Sequence, residues 1–537
     1  MDRFRRSALI VATLACLLAA GCTVPPTLPT AQSHATATSH ASPHTQVPAP
    51  TSLPTENTAP PDPAKWCLPT VPTVPQSSST SLIEAGLYIA YFSPSGTSYS
   101  FVVSSPQGEV KRALQLTDDA VPPSPNSPAA VSPDGQYFVY YAPWPSQANA
   151  ELELPHDLAL HIARTADGGE VAAIPLLTPD FPDNFRQSAE AYLNHPPPGF
   201  EDATFDELER LLKDAFFYGI RSVAWSPDSQ TLAFAGELDG PSSDIYTYEV
   251  PTGALRRLTS GPEQIVRISW SPDGTWIAHG SATWLGVGTF VTNHAVTRDG
   301  SKTVDFPFGG QYDLGWLTPT KYLVGDDNAA LGTRHLSILD IEAGSSTPIW
   351  QAQYYAVAFA DSGSSLLVTS IGAESGHPPE GLYVIDTPSS AFTWLEEGVD
   401  WRIASWGNED YQFLISNKEA GVSGLAADGS ATKLLDGAWT MVVSPDKAAV
   451  ALFTNPDMPG LHLLDSSSME LRTLSTQDAA SVTWSPDSSH LLASHGTRAS
   501  AITFTVVPRN GDAPRLVYSQ PPGMCFTPSI SWIIVPG

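Results

Sequence analysis

Histidines and carboxylates are the residues of this 537-residue chain that could transfer protons or bind a metal ion. The 13 histidines are scattered and do not show the spacing of a metal site. Two short acidic runs, Asp326-Asp327-Asn328 and Asp239-Gly240, lack the pattern of a calcium loop and favour loop acids over calcium ligands. Five histidines fall in or near strand-like segments, where this residue is most often packed or solvated: His279, His335, His462, His490 and His495. The sequence therefore predicts no metal site and no cofactor.

Nucleophilic catalysis has no motif in the sequence either. A Gly-x-Ser-x-Gly elbow is absent, and Gly421-Val422-Ser423-Gly424 has the wrong spacing for one. The sequence also lacks a His-Glu-x-x-His pair, a P-loop and a dinucleotide fingerprint. No catalytic residue is predicted on this basis.

The first 21 residues have the layout of an export signal. A basic start with three arginines precedes an uncharged apolar run of 13 residues from Ala8 to Ala20. That run fits the apolar region of a secretory signal and is too short to span a bilayer. No other apolar run reaches about 18 residues, the length that a spanning helix needs.

The run ends in Leu18-Ala19-Ala20-Gly21-Cys22, which resembles the lipoprotein signal of bacteria. The resemblance implies cleavage before Cys22 and attachment of a lipid to that cysteine. Leu18 stands one place earlier than the usual leucine, where Ala19 is found instead. An ordinary signal peptide with a chance cysteine is the alternative. With lipidation, we expect a protein held on the cell membrane by its anchor alone and facing outside the cytoplasm.

Residues 22–66 have the composition of a disordered tether. The stretch from Thr23 to Pro63 holds ten prolines and nine threonines but only two charges, Glu56 and Asp62. Such a segment cannot bury enough apolar surface to offset the entropy of ordering it. It could hold a folded region on the order of 100 Å from the membrane.

Two cysteines remain after export and lipidation, Cys67 and Cys525. One precedes the first strand-like segment and the other precedes the last. Because the compartment is oxidising, we predict a disulfide between them; two free buried thiols are the alternative.

The charge balance excludes one class of partner. The chain has 55 Asp and Glu against 26 Lys and Arg, which gives a formal charge of −29. With no basic patch in the sequence, nucleic acid is not expected as a partner. A hydrophobic content of 42% allows a large core.

A recurring tetrapeptide dominates the rest of the chain. The clear copies are Ser132-Pro133-Asp134-Gly135, Ser226-Pro227-Asp228-Ser229, Ser271-Pro272-Asp273-Gly274, Ser444-Pro445-Asp446 and Ser485-Pro486-Asp487-Ser488. Neighbouring copies lie 45 and 41 residues apart, and degenerate copies at 316–320, 359–363 and 406–410 fill the longer gap. Proline and aspartate favour a tight turn, so we interpret the five aspartates as structural. A period of 40 to 47 residues with four short strands predicts a β-propeller.

These units resemble the TolB-type, WD40-like propeller repeat of bacterial envelope proteins, over roughly residues 82–535. The resemblance implies an all-β fold, a single propeller of four-stranded blades occupying residues 67–537. It leaves function open, because that family includes binding modules, assembly factors and non-catalytic domains of peptidases.

The blade count depends on how the ends meet. Three strands at Leu87–Phe92, Tyr99–Ser104 and Val110–Leu116 lack an inner strand, which Ile530–Val535 could supply. This closure gives nine blades, with eight as the alternative. The predicted Cys67–Cys525 bond would lie where the ring closes.

One insertion interrupts the period. Asp134 and Asp228 are 94 residues apart, about 50 more than a blade needs, and the surplus falls at residues 178–219. A capping box at Thr204-Phe205-Asp206-Glu207 and apolar residues at helical spacing predict a helix there. It is either a decoration packed on the propeller or a lid or docking arm.

Two functions remain open. The first is a lipid-anchored, extracytoplasmic module that binds or scaffolds an envelope protein or glycan. The alternative is a hydrolase or lyase acting on sugars or peptides, with acids and histidines converging in the central funnel. Because no α/β-hydrolase region follows the repeats, a complete propeller-type serine peptidase is not expected.

Overall fold

The computed structural model describes most of the repeat region. The described residues are 83–95, 98–123, 130–143, 157–177, 204–206, 222–238, 243–260, 264–282, 291–309, 312–328, 333–360, 363–372, 379–398, 400–496, 501–520 and 530–535. All of them belong to the unit Pro69–Gly537. The predicted signal peptide, the tether, Cys22, Cys67 and Cys525 lie outside the described residues, as does nearly all of 178–219.

Nine antiparallel sheets follow one another along the chain and form a nine-bladed β-propeller. We number the blades in chain order. The strands of blades 1 to 4 are β1 (Gly86–Ser95), β2 (Ser98–Ser104), β3 (Val110–Gln115) and β35 (Ile530–Val535); β4 (Tyr137–Ala142), β5 (Ala159–Arg164) and β6 (Glu170–Pro175); β7 (Val223–Trp225), β8 (Thr231–Gly236), β9 (Asp244–Glu249) and β10 (Ala254–Arg257); β11 (Gln264–Trp270), β12 (Trp276–Ala282), β13 (Val291–Thr297) and β14 (Thr303–Gly309).

Blades 5 to 9 repeat the same plan of four consecutive strands. Their strands are β15 (Tyr312–Thr318), β16 (Lys321–Asn328), β17 (Thr333–Asp340) and β18 (Ser345–Gln351); β19 (Gln353–Phe359), β20 (Ser365–Gly372), β21 (Gly381–Asp386) and β22 (Ala391–Glu396); β23 (Arg402–Ser405), β24 (Phe413–Asn417), β25 (Gly421–Leu425) and β26 (Ala431–Leu435); β27 (Thr440–Val443), β28 (Ala449–Phe453), β29 (Leu461–Asp465) and β30 (Leu471–Ser475); β31 (Ser481–Trp484), β32 (His490–His495), β33 (Ile502–Pro508) and β34 (Arg515–Gln520).

The last strand of the chain closes the ring. β35 pairs antiparallel with β1, from Gly86 opposite Val535 to Tyr91 opposite Ile530, and becomes the inner strand of blade 1. The prediction of an all-β propeller is confirmed, and the closure gives the larger of the two predicted blade counts. Blade 2 departs from the pattern because its inner position is described only as two isolated bridges to β4, Val131 with Phe138 and Val121 with Tyr141.

The repeated tetrapeptide forms the turn between the first and second strand positions of its blade. In every clear copy the serine hydroxyl donates to the aspartate Oδ1 at 2.5–2.6 Å. The same Oδ1 accepts the backbone N–H two residues later at 3.0–3.1 Å, so each carboxylate caps its own turn. The aspartates of these turns, in blades 2, 3, 4, 8 and 9, are Asp134, Asp228, Asp273, Asp446 and Asp487.

Two of these turns also fasten neighbouring blades together. Ser229 and Ser488 have φ of 60°, a left-handed conformation that a residue with a side chain adopts only at some cost. Their hydroxyls accept the backbone N–H of Asp134 and Asp446 in the preceding blades, each at 3.0 Å. The bonds across the blade boundary offset that strain and explain a serine where glycine would be easier.

Tryptophans at the ends of inner strands fill the space between blades. Trp270 and Trp484 are 6–7% exposed. Each indole N–H donates to a backbone carbonyl in the preceding blade at 2.9 Å, that of Ala224 and Val442 respectively. Because a single sheet cannot bury both faces, these contacts are what make a blade stable in the ring.

The insertion is described only at residues 204–206. There Phe205 packs against the core cluster shared by blades 2 and 3, which includes Trp225. Among the residues described, no helix has both the length and the apolar character to cross a bilayer.

Candidate functional site

A cavity of about 710 Å³ opens beside the β33–β34 turn of blade 9, between blades 8 and 1. Its lining is rich in arginine, unlike the acidic chain around it. The lining includes Gln107, Arg472, His490, Arg509, Asp512 and Arg515. We call the boundary between blades 9 and 1 the closing seam, and this recess the seam cavity.

The outer strands of blades 3, 8 and 9 carry an arginine at the same position. Arg256 pairs with Thr247, Arg472 with Leu463 and Arg515 with Val506 on the neighbouring strand. In each blade one backbone hydrogen bond joins the strand 3–4 turn to the strand 1–2 turn, and its N–H donors are Val250, Ser466 and Arg509. The residue paired with each arginine lies three residues before that donor. The three arginines are therefore structural equivalents.

Two of these arginines are bound by the next blade. Arg256 donates to the carbonyl of Asp299 at 2.9 Å. Arg472 donates to the carbonyl of Asn510 at 3.0 Å and also to that of Arg509. Arg515 is exposed and makes no hydrogen bond or ion pair within the described part of the chain. Arg515 lines the seam cavity, and no described residue uses its donors.

A second repeated arginine explains why the cavity is open. Arg298 in blade 4 and Arg509 in blade 9 occupy the same place in the strand 3–4 turn. Arg298 donates to Asp228 and Arg509 donates to Asp446, both at 2.6 Å, across the boundary to the preceding blade. Each guanidinium also lies over the tryptophan of its own inner strand, 5.7 Å from Trp270 and 5.9 Å from Trp484.

In blade 1 a proline stands at the position that Arg298 and Arg509 hold in the strand 3–4 turn. The glycine two residues later closes the same turn in all three blades, through Gly108 to Ser105, Gly300 to Thr297 and Gly511 to Pro508. This aligns Pro106 with the two arginines. Proline cannot cross the closing seam, so Asp487 has no lysine or arginine partner within the described residues. The seam cavity lies beside the place where that arginine would be.

The charge of the seam cavity is set by its arginines. Burial lowers the pKa of His490, while nearby Asp487 acts in the opposite direction. The imidazole is therefore neutral at pH 7 and accepts or donates one hydrogen bond with Ser489 Oγ at 2.7 Å. Three guanidiniums then face a single lining carboxylate, Asp512, which bonds to Asn510 at 2.9 Å.

The central funnel offers little to acid–base catalysis. The inner strands of the described residues carry mainly apolar and hydroxyl side chains. Arg402 of β23 is basic and donates to Thr454 at 3.0 Å. Asp313 is the only carboxylate in the sequences of these inner strands. No group of three or more His, Cys, Asp or Glu that could hold a metal occurs among the described residues.

The histidines singled out in the sequence do not converge. His462 contacts Thr473 on β30, and His495 contacts Thr505 on β33, each inside its own blade. His335 is half-buried on β17. His279 stacks on His294 at 5.1 Å in blade 4, a neighbour that the sequence reading passed over.

His294 takes part in a polar chain across blade 4. Ser281 Oγ lies 2.9 Å from its Nε2, and Asp305 Oδ1 lies 2.8 Å from its Nδ1. These are the contacts of a serine–histidine–aspartate triad. The exposure is reversed, however: Ser281 is 3% exposed and the Asp305 side chain 77%. A catalytic serine must meet its substrate and its aspartate is normally buried, so this geometry is that of a structural link across three strands.

Sequence reasoning missed both the seam cavity and this chain. Ser281, His294 and Asp305 become neighbours only through the register of β12, β13 and β14. Alignment of the blades on their turns was the available signal, since it places Pro106 where two other blades have arginine.

Comparison with known proteins adds the following. No family model matches the chain. Over 77 residues the chain is 40% identical to the uncharacterized peptidase YuxL of Bacillus subtilis (strain 168), a match that covers 14% of this chain and 11% of that protein. The chain thus spans about a tenth of the length of this curated relative.

Solved structures share the fold at low identity. TolB from Acinetobacter baumannii matches with 12% identity and a TM-score of 0.30, over 74% of this chain and 82% of that one. An oligogalacturonate lyase in complex with manganese matches with 12% identity and a TM-score of 0.32, over 54% of this chain and 90% of that one. Likeness at this level concerns the propeller fold alone.

Proposed function

We propose that this chain is a lipid-anchored, extracytoplasmic propeller that binds an envelope protein or glycan and does not catalyse a reaction. The observation that carries the proposal is the seam cavity: a recess of about 710 Å³ lined by arginine and amide groups. Ser489 in its lining contacts His490, but the serine hydroxyl donates its proton to Asp487. Recesses of this volume are typical of ligand sites. The anchor rests on the sequence around Cys22.

The position of the cavity fits a binding role. It is formed by turns, which lie on the surface and tolerate change, while the strands beneath them are rigid and buried. In blades 3 and 8 the equivalent arginines tie one blade to the next. At the closing seam Arg515 is left available for another molecule.

A hydrolase or lyase acting on sugars or peptides is the second candidate. The polar chain Ser281–His294–Asp305 is the observation that favours it. The buried serine and exposed aspartate weigh against it, and the described inner strands bring no acids or histidines together in the funnel. Binding is therefore the better-supported function.

The test is capture from the envelope of the producing bacterium. The full chain in mild detergent is immobilised beside two variants, Arg515→Gln and Arg256→Gln, and bound proteins and glycans are identified after cross-linking. We expect a partner that the wild-type chain and Arg256→Gln retain and that Arg515→Gln loses. Recovery no greater than on bare beads would contradict the proposal.

Hydrolytic activity is measured on the same preparations with peptide and oligosaccharide panels. Turnover that disappears in Ser281→Ala would favour the enzyme instead. No turnover by the wild-type chain is the result expected of a binding module.

A further inference from the structure

We infer that the seam cavity binds an oxyanion group, the carboxylate or phosphate of a small ligand or of a ligand's end, and that Arg515 is its main contact. This inference names the ligand chemistry of the proposed binding site and rests on that proposal only in part, since the cavity can be tested without a partner.

Blade 4 has apolar residues at the same positions. By register, Arg515 corresponds to Val304, which pairs with Ala295. By turn geometry, His490 corresponds to Trp276, since the backbone N–H of each donates to the turn serine at 2.9 Å. Val304 and Trp276 are 8% and 6% exposed.

Those two residues seal blade 4 against blade 5. They belong to one apolar cluster with Tyr322 and Leu339 of the next blade. At the closing seam the chain has a histidine and an arginine in their place, and a cavity instead of a packed contact. The closing seam therefore lacks the apolar contact that blade 4 makes at these positions.

The chemistry of the lining selects an anion. Arg515 has five N–H donors in a planar fork that matches a carboxylate or phosphate edge, and none of them bonds to a described residue. Arg472 donates hydrogen bonds to neutral carbonyls, which do not neutralise its positive charge. Arg509 is neutralised by Asp446 and holds its position.

The remaining groups agree with this assignment. The amide of Gln107 lies on the opposite wall, in blade 1, and adds neutral donors. His490 adds no charge at pH 7 because burial lowers its pKa. Within the lining, Arg472 and Arg515 face one carboxylate, Asp512, in a chain whose formal charge is −29. Asp487 lies outside the lining and accepts hydrogen bonds from Ser485 and Ser489. An anion that reaches this recess therefore meets a locally favourable potential.

The experiment is a calorimetric titration of the full chain in uncharged detergent at low salt. The probes are inorganic phosphate, citrate as a carboxylate, and glucose as a neutral control. We expect one saturable site for phosphate or citrate and none for glucose. Binding of phosphate alone identifies a phosphate ligand, and binding of citrate alone identifies a carboxylate ligand.

Two glutamine variants assign the site. Arg515→Gln should weaken the anion roughly tenfold or more, the loss expected when a charge-assisted fork is removed. Arg256→Gln removes the equivalent arginine of blade 3 and should leave the affinity unchanged. Thermal unfolding of both variants verifies that they fold.

The inference fails if neither anion binds at millimolar concentration, or if both variants weaken binding equally. It also fails if Arg515→Gln binds like the wild-type chain. Anion binding without any envelope partner would contradict the proposed function but support the anion site. If wild type and Arg515→Gln capture the same partner and neither binds an anion, the anion site is contradicted and the binding function is not.

Discussion

Arg509 reaches across a blade boundary and donates to Asp446 in the preceding blade at 2.6 Å. Burial alone would raise the pKa of Asp446, but the hydrogen bonds from Ser444 and Arg509 outweigh it and hold the pKa below its usual value. The pair therefore links the stability of the ring to the ionisation of a turn carboxylate. Arg298 and Asp228 make the same link between blades 3 and 4.

This link makes the ring sensitive to acid. A carboxyl with a lowered folded pKa stabilises the fold above its unfolded pKa of about 3.9, and the contribution is lost as the pH falls through the folded value. Asp446→Asn should lower the unfolding temperature at pH 7, and the gap from wild type should close below about pH 4. Calorimetry from pH 7 to pH 3 measures it.

The control is Asp457→Asn, which changes an exposed loop carboxylate in the same blade. Its unfolding temperature should stay within a degree or so of wild type at every pH. A gap for Asp446→Asn that widened in acid would refute the linkage.

Pro106→Arg should strengthen the closing seam. By analogy with Arg509, the new guanidinium would reach Asp487 and lie over Trp532, the tryptophan of β35. A partly exposed ion pair and a cation–π contact each contribute about 0.5–1 kcal/mol. We expect the unfolding temperature to rise by about 1–2 °C in a domain of this size.

Pro106→Ala is the matched control, since it removes the proline and adds no cation. It should give no rise. Equal unfolding temperatures for the two variants would show that the arginine finds no partner at the seam.

Because β35 closes the ring, we expect the backbone amides of β1 to be protected from hydrogen exchange. β1 lies between β2 and β35, so its amides should exchange as slowly as those of β8 in blade 3. Ile533→Ala, at a site 2% exposed, should cost about 2–4 kcal/mol and speed exchange in β1 before β8. Hydrogen exchange with mass spectrometry measures both. Fast exchange of β1 in the wild-type chain would mean that the ring is open.

Lipidation of Cys22 stays a prediction from sequence, with a direct readout. The mature N-terminal peptide should carry a lipid mass on Cys22, and Cys22→Ala should release the chain from membranes. An unmodified N-terminus from cleavage elsewhere would identify an ordinary signal peptide.

The Cys67–Cys525 bond is also open to test. Alkylation of the purified chain should leave both thiols unmodified until a reductant is added, and a linked peptide should appear by mass spectrometry. Cys67→Ser should lower the free energy of unfolding by about 2–4 kcal/mol. Alkylation without reductant would support the alternative of two free thiols.

The fold could be predicted because its signals are local. The turn at Asp228 is held by the serine two residues before it and by a backbone amide two residues after it. Because these groups are close in the chain, the repeat can be recognised from a single sequence. The closing strand was predicted from its apolar run at 530–535 and the missing inner strand of the first unit. The reduced inner strand of blade 2 was not foreseen, because Val131 precedes the same turn motif.

The candidate site could not be predicted in the same way. In the sequence Arg515 looks like any surface arginine. Only the strand register shows that it is equivalent to Arg256 and Arg472, whose guanidiniums donate to carbonyls of the next blade. Pro106 is an ordinary turn residue until the closing seam brings it beside blade 9. Both properties depend on contacts between the two ends of the repeat region, more than 400 residues apart.

A crystal structure of the full chain grown with tungstate would show where an oxyanion binds this propeller. Tungstate is an electron-dense oxyanion, so its position is visible without interpretation of weak density. We expect a tungstate in the seam cavity within hydrogen-bond distance of Arg515, with Pro106 on the facing wall. A seam closed by packed side chains, or an anion bound elsewhere while this cavity stays empty, would contradict it.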